Sequence, residues 1–401
     1  MYLDLPEDFI ARVKTYDDEM IAFRRDLHAH PELSRAEVRT TRVVRERLVA
    51  AGLAPAVLPA GTGLTCDVGT GAVGRMVALR ADLDALPLTD TKDVAYRSTT
   101  AGVCHACGHD VHTSVVLGAA LVLADLEAAG ELPGRVRLVF QHAEEVMPGG
   151  ALDAIRAGAV TGVDRMFALH CDPRVDVGQV GLRVGPITGA TDRVSVRLRG
   201  PGGHTARPHL TADLVYALGK VLTDTASVLS RRVDPRAGLS LVWGRVGAGS
   251  ASNAIPQSGE AEGTLRCLDL QAWDAAPDTF TEVVHSIAAQ YGVRAEVEVQ
   301  RGVPPCVNEA ESVRLLGEAA QAVIGPEAVV STEQSLGGED FAWYLGEVPG
   351  ALARLGVRAP GSPVALDLHQ PHFDVDEDAI RVGIRLLVAT ALHALTDDRA
   401  A

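Results

Sequence analysis

Three short apolar runs, each emptying into a cluster of acids and imidazoles, constrain this chain more than any other feature. The run at 76–79 (MVAL) is followed by Arg80, Asp82 and Asp84. The run at 136–140 (VRLVF) is followed by His142, Glu144 and Glu145, and that at 166–169 (MFAL) by His170, Cys171 and Asp172. Strand-length runs this poor in polar residues suit strands covered on both faces. Helical patterns lie between them, at 112–129 and 149–157. Such alternation predicts an α/β layer with a mostly parallel, mixed sheet between helices. Ligands of open α/β sheets bind beyond the carboxyl ends of the strands, so the three polar clusters are expected at one edge.

The flanks extend the pattern. Residues 7–30 read as one helix, with Tyr16, Met20, Phe23 and Leu27 on a stripe, and 36–51 as a second, stopped by Gly52. After about 185 the texture changes: 193–200 alternates apolar and polar residues, as a half-solvated strand does. A helix (211–230), strands (239–247, 258–268), a helix (270–291) and a strand (293–300) follow, enough for four strands with two helices on one face. From 309 the α/β texture returns, with a helix at 309–323, short strands near 328 and 352, and a final helix at 376–395. A length of 401 residues exceeds one ordinary core. The expectation is one α/β domain split between 1–185 and 301–401, interrupted at 186–300 by a smaller α+β domain. The motifs below identify the split domain as the metal-binding catalytic one, and the resemblance they carry implies that the insertion is a satellite dimerisation domain.

Composition removes whole classes of function. With 37 basic against 52 acidic residues and only 4% aromatics, the chain lacks the positive surface and stacking platforms of a nucleic-acid binder. The first residues carry acids and a proline where a signal peptide needs a basic and then an apolar run. No stretch of about 18 uninterrupted apolar residues predicts a membrane span. Six cysteines in a chain this long are read as thiols or metal ligands rather than a disulfide scaffold, and the cytoplasm is the expected address.

The densest chemistry is CHACGHDVH at 104–112. Gly108 lets the backbone turn so that Cys107 and His109 can face one point, and thiolate and imidazole are good ligands for zinc and its neighbours. No second Cys/His pair at finger spacing lies nearby, so the partners are sought at the same sheet edge, in Glu144, Glu145 and His170. A mixed set of sulfur, nitrogen and oxygen donors points to catalysis. Cys104, His105 and His112 are read as supporting groups, and Asp110 and Asp82 as acceptors for the second nitrogen of a ligand histidine. Adjacent glutamates in an extended segment point to different sides. One can coordinate while the other faces the attacking water, the division of labour that metal-assisted hydrolysis needs.

Eight segments in order carry a resemblance: RRDLHAHPELS (24–34), VALRADLDALPL (77–88), HACGHDVHTS (105–114), AEEVMPGGA (143–151), GPGGHTARPH (200–209), NAIPQSGEAEGTLR (253–266), GGEDFAWYL (337–345) and LHQPHFDVDEDAI (368–380). Together they resemble the aminoacylase/carboxypeptidase family of dinuclear metallohydrolases, in its branch of N-acyl-amino-acid amidohydrolases, which includes hippurate and auxin-conjugate hydrolases. The resemblance covers nearly the whole chain. It implies two divalent metal ions per subunit, zinc or manganese, with cobalt and nickel as alternatives, held by Cys107, His109, Glu145, His170 and His369. Cys107 stands where most relatives place a bridging aspartate, and Arg80 where other branches keep a metal-binding histidine. The resemblance further implies Glu144 as general base and then acid, and Asp82 as the group orienting a ligand histidine. His204 would stabilise the oxyanion, in relatives often across a dimer, and Asn253 and Arg266 would contact the substrate carboxylate. Gly338, with Glu339, would form a wall of the pocket. Two departures are His142, in place of a usual proline, and His372, in place of a common aromatic.

The implied reaction is hydrolysis of a small N-acyl-amino acid by a homodimer joined through its insertion domains. Its closest alternative is a dipeptidase or carboxypeptidase of the same family. A cysteine hydrolase using Cys107 as nucleophile is disfavoured by the surplus of carboxylates. A vestigial site in a binding module is disfavoured by the intact set of ligands.

Overall fold

In the structure, a computed structural model that describes residues 3, 5–69, 74–362 and 366–397, the three apolar runs form the centre of one sheet. Strand Met76–Asp82 pairs in parallel with Arg135–Gln141 on one side and Arg165–Asp176 on the other. All seven residues of Met76–Asp82 are buried. Leu79 lies level with both Leu138 and Phe167, so the polar residues that follow each run gather toward the same end of the sheet. The full order is Ala56–Val57, Leu64–Val68, Arg135–Gln141, Met76–Asp82, Arg165–Asp176, Gly350–Arg358, Val180–Leu182 and Val329–Ser331. Antiparallel pairs occur at Leu64–Val68 with Arg135–Gln141, and at Gly350–Arg358 with Val180–Leu182. The sheet is thus mixed and parallel-rich.

The helices beside it are long and apolar. His109–Ala128 and Asp378–Thr396 would pass a length and hydropathy test for membrane crossing, yet 78% and 83% of their apolar windows are buried. Both contribute to the main core, where Val115, Leu117, Ile384 and Leu387 pack with Leu79 and Phe167. The stripe at 7–30 is divided between two helices, Phe9–Thr15 and Asp17–Ala29. Asp17, Asp18 and Glu19 supply the reason, because three acids suit the positive end of a helix dipole better than its middle. Tyr16, at the break, sends its hydroxyl to Asp125 at 2.8 Å.

The first and third runs differ from their expected lengths: strand Met76–Asp82 includes Arg80 and Asp82, leaving only Asp84 beyond its end. Strand Arg165–Asp176 continues past Leu169, so His170, Cys171 and Asp172 lie within it rather than beyond its end. The pairing of His170, Cys171 and Asp172 with Arg354, Leu355 and Gly356 carries the strand onward.

The chain divides into two units: Met1–Ile187, Val307–Glu333 and Asp340–Ala401 form the first, and Thr188–Cys306 with Gln334–Glu339 the second. In the second unit four antiparallel strands run in the order Ser240–Ala248, Ser258–Cys267, Ala190–Arg199, Arg294–Val303. Strand Ala190–Arg199 buries alternate residues, and Val194, Val196 and Leu198 form a core with Leu214, Leu218, Phe280 and Val284 of helices Leu214–Arg232 and Leu270–Gln290. The hexapeptide 334–339 joins this unit through local bonds. Gly189 N donates to Ser335 O, and the Arg266 guanidinium donates to Leu336 O.

Candidate metal centre

Gly108 begins the site. Its φ of 88° is left-handed, and a Cβ there would lie 2.7 Å from Cys171 Sγ, so neither the conformation nor the space admits a side chain. The turn starts helix His109–Ala128 and leaves Cys107 and His109 on one side of it. Cys107 Sγ lies 3.5 Å from His170 Nε2 and 3.3 Å from His369 Nε2. Glu145 Oε1 lies 3.5 Å from His369 Nε2 and 3.8 Å from His109 Nε2. Glu144 Oε2 is also 3.8 Å from His109 Nε2.

Two of these residues come from strained backbone. His369 has a φ of 59°, held by its N–H donating to Ala106 O at 2.7 Å. Ala143, immediately before Glu144, has a φ of 54° and donates its N–H to Glu37 Oε1 at 2.8 Å. Non-glycine residues in this region cost about 1–3 kcal/mol each and persist where the surroundings over-determine them.

Asp84 makes the hydrogen bonds that hold His109 and both glutamates, while Asp82, expected to orient a ligand histidine, faces His109 at longer range. The Asp84 carboxylate accepts from the backbone N–H of Glu144 at 3.1 Å and of Glu145 at 2.9 Å, and from the Ser34 hydroxyl at 2.6 Å. Its backbone carbonyl accepts from His109 Nδ1 at 2.9 Å. That bond puts the proton on Nδ1 and leaves the Nε2 lone pair toward the cluster. Asp82 instead accepts from His112 Nδ1 at 2.7 Å and from Arg80 at 2.7 Å, and lies 3.7 Å from His109 Nε2. His112 Nε2 accepts from Cys171 N, which saturates that imidazole as a supporting group. Asp110, the other expected acceptor, is committed to Arg24 and His28. The signal for Asp84 was its spacing in RADLD, two residues beyond Asp82.

The donors fit a cation. His109 Nε2 and Glu145 Oε1 are sealed from solvent and have no hydrogen-bond partner among the described residues, a cost that a metal ion would remove. His170 Nδ1 donates to Cys171 O at 2.8 Å, which turns its Nε2 lone pair toward Cys107. The charges agree. Burial, then the charge of Glu145, pushes the Cys107 thiol well above its usual range, and burial also raises Glu145. Burial works against protonation of His109, but Asp82 and Asp84 outweigh it and hold the imidazole well above its ordinary value. Burial, then the positive charge of Arg354, holds His170 well below. A thiol, a carboxyl and an imidazole that cling to protons here are what a site lacking enough positive charge produces, and a divalent ion reverses each preference.

The sequence-predicted residues divide cleanly by unit. Cys107, His109, Glu145, His170, His369, Glu144 and Asp82 are in the first. His204, Asn253, Arg266 and Gly338 are in the second. There His204 is exposed on a two-residue strand paired with Ala254–Ile255, and its Nδ1 accepts from Ala206 N at 3.1 Å. Asn253 is exposed, and its carbonyl accepts from Thr205 N. Arg266 donates to Thr191 Oγ1 at 2.9 Å and to Leu336 O, two residues before the exposed Gly338. His142, the departure before the glutamates, lies 3.3 Å from Asp153.

The family model described as peptidase family M20/M25/M40 matches residues 78–393. A chain from Rhodococcus jostii (strain RHA1) named glutamate–cysteine ligase 2-3 is 51% identical over 93% of this chain and 46% of its own, so this chain spans about half of that relative. N-acetyl-L-cysteine deacetylase of Bacillus subtilis (strain 168) is 36% identical, covering 92% of this chain and 86% of its own. Thermostable carboxypeptidase 2 of Saccharolobus solfataricus is 35% identical, covering 95% and 96%. Among solved structures, a Bacillus subtilis protein described as a dinuclear metal binding peptidase from the M20 family superposes with a TM-score of 0.83 at 33% identity, covering 95% of this chain and 99% of its own.

Proposed function

Because the chain belongs to peptidase family M20/M25/M40, we propose that it is an N-acyl-amino-acid amidohydrolase that releases a carboxylic acid and a free amino acid. The observation that carries this reading is the convergence of five donors around two buried, unpartnered lone pairs, with Glu144 at their side. Cys107, His109, Glu145, His170 and His369 would hold two divalent ions, zinc or manganese, with cobalt and nickel suited to the same thiolate and imidazole donors. When bound, the ions supply Lewis acidity at the scissile carbonyl and make water acidic enough to attack near neutral pH.

The chain's own groups do the rest. Glu144 takes a proton from the attacking water and returns it to the leaving amine. Asp84 holds the backbone of both glutamates, so that their carboxylates take separate tasks. The resemblance assigns the oxyanion to His204, the α-carboxylate to Asn253 and Arg266 and the pocket wall to Gly338, all residues of the second unit. The deacetylase relative supports an acyl-amino-acid substrate, whereas the carboxypeptidase relative favours a peptide. Reconstituting the apoprotein with Zn, Mn, Co or Ni and assaying N-acetyl-amino acids, N-benzoyl-amino acids and free dipeptides decides between them. Release of amino acid from the acylated substrates is expected. Faster cleavage of free dipeptides would replace this reading with the peptidase.

The second unit is also the proposed dimerisation surface. Leu210 and Val242, 72% and 64% exposed, support an association face there. If His204 acts in its partner's site, mixing His204→Ala with Glu144→Gln protomers restores activity. No recovery despite proven subunit exchange would place the site within one chain. All six cysteines are free thiols, in keeping with a cytoplasmic address.

A further inference from the structure

Four arginines are buried among the described residues: Arg24, Arg80, Arg165 and Arg354. Three are matched by carboxylates. Arg24 donates to Asp110 and Asp374, Arg80 to Asp82 and Asp340, and Arg165 to Glu309 at 2.7 Å. Arg354, only 6% exposed, has neither a hydrogen bond nor an ion pair with any described residue, and its Nε is sealed from solvent. The nearby carboxylate of Asp172 is already taken by the backbone N–H and guanidinium of Arg174, at 2.9–3.0 Å.

Its position explains what it can do. Arg354 lies on Gly350–Arg358 in parallel register with His170, and paired residues of adjacent strands project from the same face. On its other side the register partner is Gly181, which offers no side chain. The guanidinium therefore stands beside a metal-site imidazole, and the Asp172 carboxylate attracts it without a hydrogen bond or ion pair between them. A buried charge left unpaired is costly, and costlier still next to a centre that would gather divalent cations. A planar fork of donors kept free in such a place matches a carboxylate.

We propose that Arg354 binds a carboxylate of the substrate, and that the preferred substrates are N-acyl-amino acids bearing a carboxylate in addition to the α-carboxylate. The count of arginines supports a second acid. Arg266 donates only to neutral oxygens among the described residues and is the group assigned to the α-carboxylate, which leaves Arg354 for another. The inference rests on the amidohydrolase reading above.

The test compares metal-replete wild type, Arg354→Leu and Arg354→Lys on paired substrates. N-acetyl-L-glutamate is set against N-acetyl-L-glutamine, and N-succinyl-L-leucine against its succinamoyl counterpart. The wild type should prefer at least one acid over its amide. Arg354→Leu should lower kcat/KM for that acid by roughly 10–100-fold, mainly through KM, as expected for a lost charged hydrogen bond. The amides should be little changed, and lysine should restore part of the loss. Equal losses on acid and amide, or no preference in the wild type, overturn the proposal. Calorimetric titration of the same proteins with glutarate reads recognition without turnover, and an unchanged affinity in Arg354→Leu also overturns it. A wild type that cleaves no acylated amino acid with any metal would remove the amidohydrolase reading instead, while the glutarate titration still decides the role of Arg354.

Discussion

Glu144→Gln should retain its metal ions and lose about 10²–10⁴-fold in kcat, the range that a positioned general acid–base contributes. The substitution preserves shape and leaves the backbone bond from residue 144 to Asp84 in place, so the loop should keep its course. The five proposed ligands are untouched. What disappears is the ability to take a proton from water and hand it to the leaving amine. Elemental analysis alongside kcat is the check. Near-normal turnover in a metal-replete glutamine variant would remove Glu144 from the proton transfer.

Arg24→Leu should destabilise the fold by about 3–5 kcal/mol at neutral pH, the range for breaking a buried ion pair from one side. Arg24 is 1% exposed, with Nε 2.7 Å from Asp110 and NH2 2.9 Å from Asp374. Asp110 also meets His28 at 2.8 Å. Burial alone would raise the Asp110 carboxyl, but the charges of Arg24 and His28 hold it well below the usual range. A depressed carboxylate adds stability above its ordinary pKa and loses it as pH falls through the depressed value. The gap between wild type and variant should therefore narrow in acid. Urea unfolding at neutral and acidic pH measures it, and a difference that grows as pH falls would contradict this assignment. Because Asp110 follows His109 directly, the cluster also anchors the start of the helix that carries a proposed metal ligand.

Much of this was written in local pattern. Apolar runs of strand length, buried on both faces, marked the centre of the large sheet, and alternation at 193–200 marked the smaller one. Local pattern failed where two readings shared one stripe: Tyr16, Met20, Phe23 and Leu27 suit a single helix as well as two, and only the acids at 17–19 argue for the break. It also stopped the first and third strands too early, because a strand end rich in polar residues looks like a loop until its neighbour is known. For the third, Gly350–Arg358 is that neighbour, and it lies about 180 residues further along the chain.

The sequence by itself determined which donors exist and what they can bind. Thiol, imidazole and carboxylate chemistry is intrinsic to the side chains, and Gly108 brings Cys107 and His109 together through the backbone alone. Only the tertiary structure decided how each donor is spent. Hydrogen bonds saturate, so once His112 and Arg80 occupy Asp82, the alignment of His109 and both glutamates falls to Asp84. Charge pairing saturates in the same way, and whether an arginine is matched depends on residues far away in the chain. Arg24 finds Asp374 across 350 positions. Arg354 makes no ion pair with any described residue, because the carboxylate near it, Asp172, is held by Arg174, and nothing in its local sequence distinguishes the two.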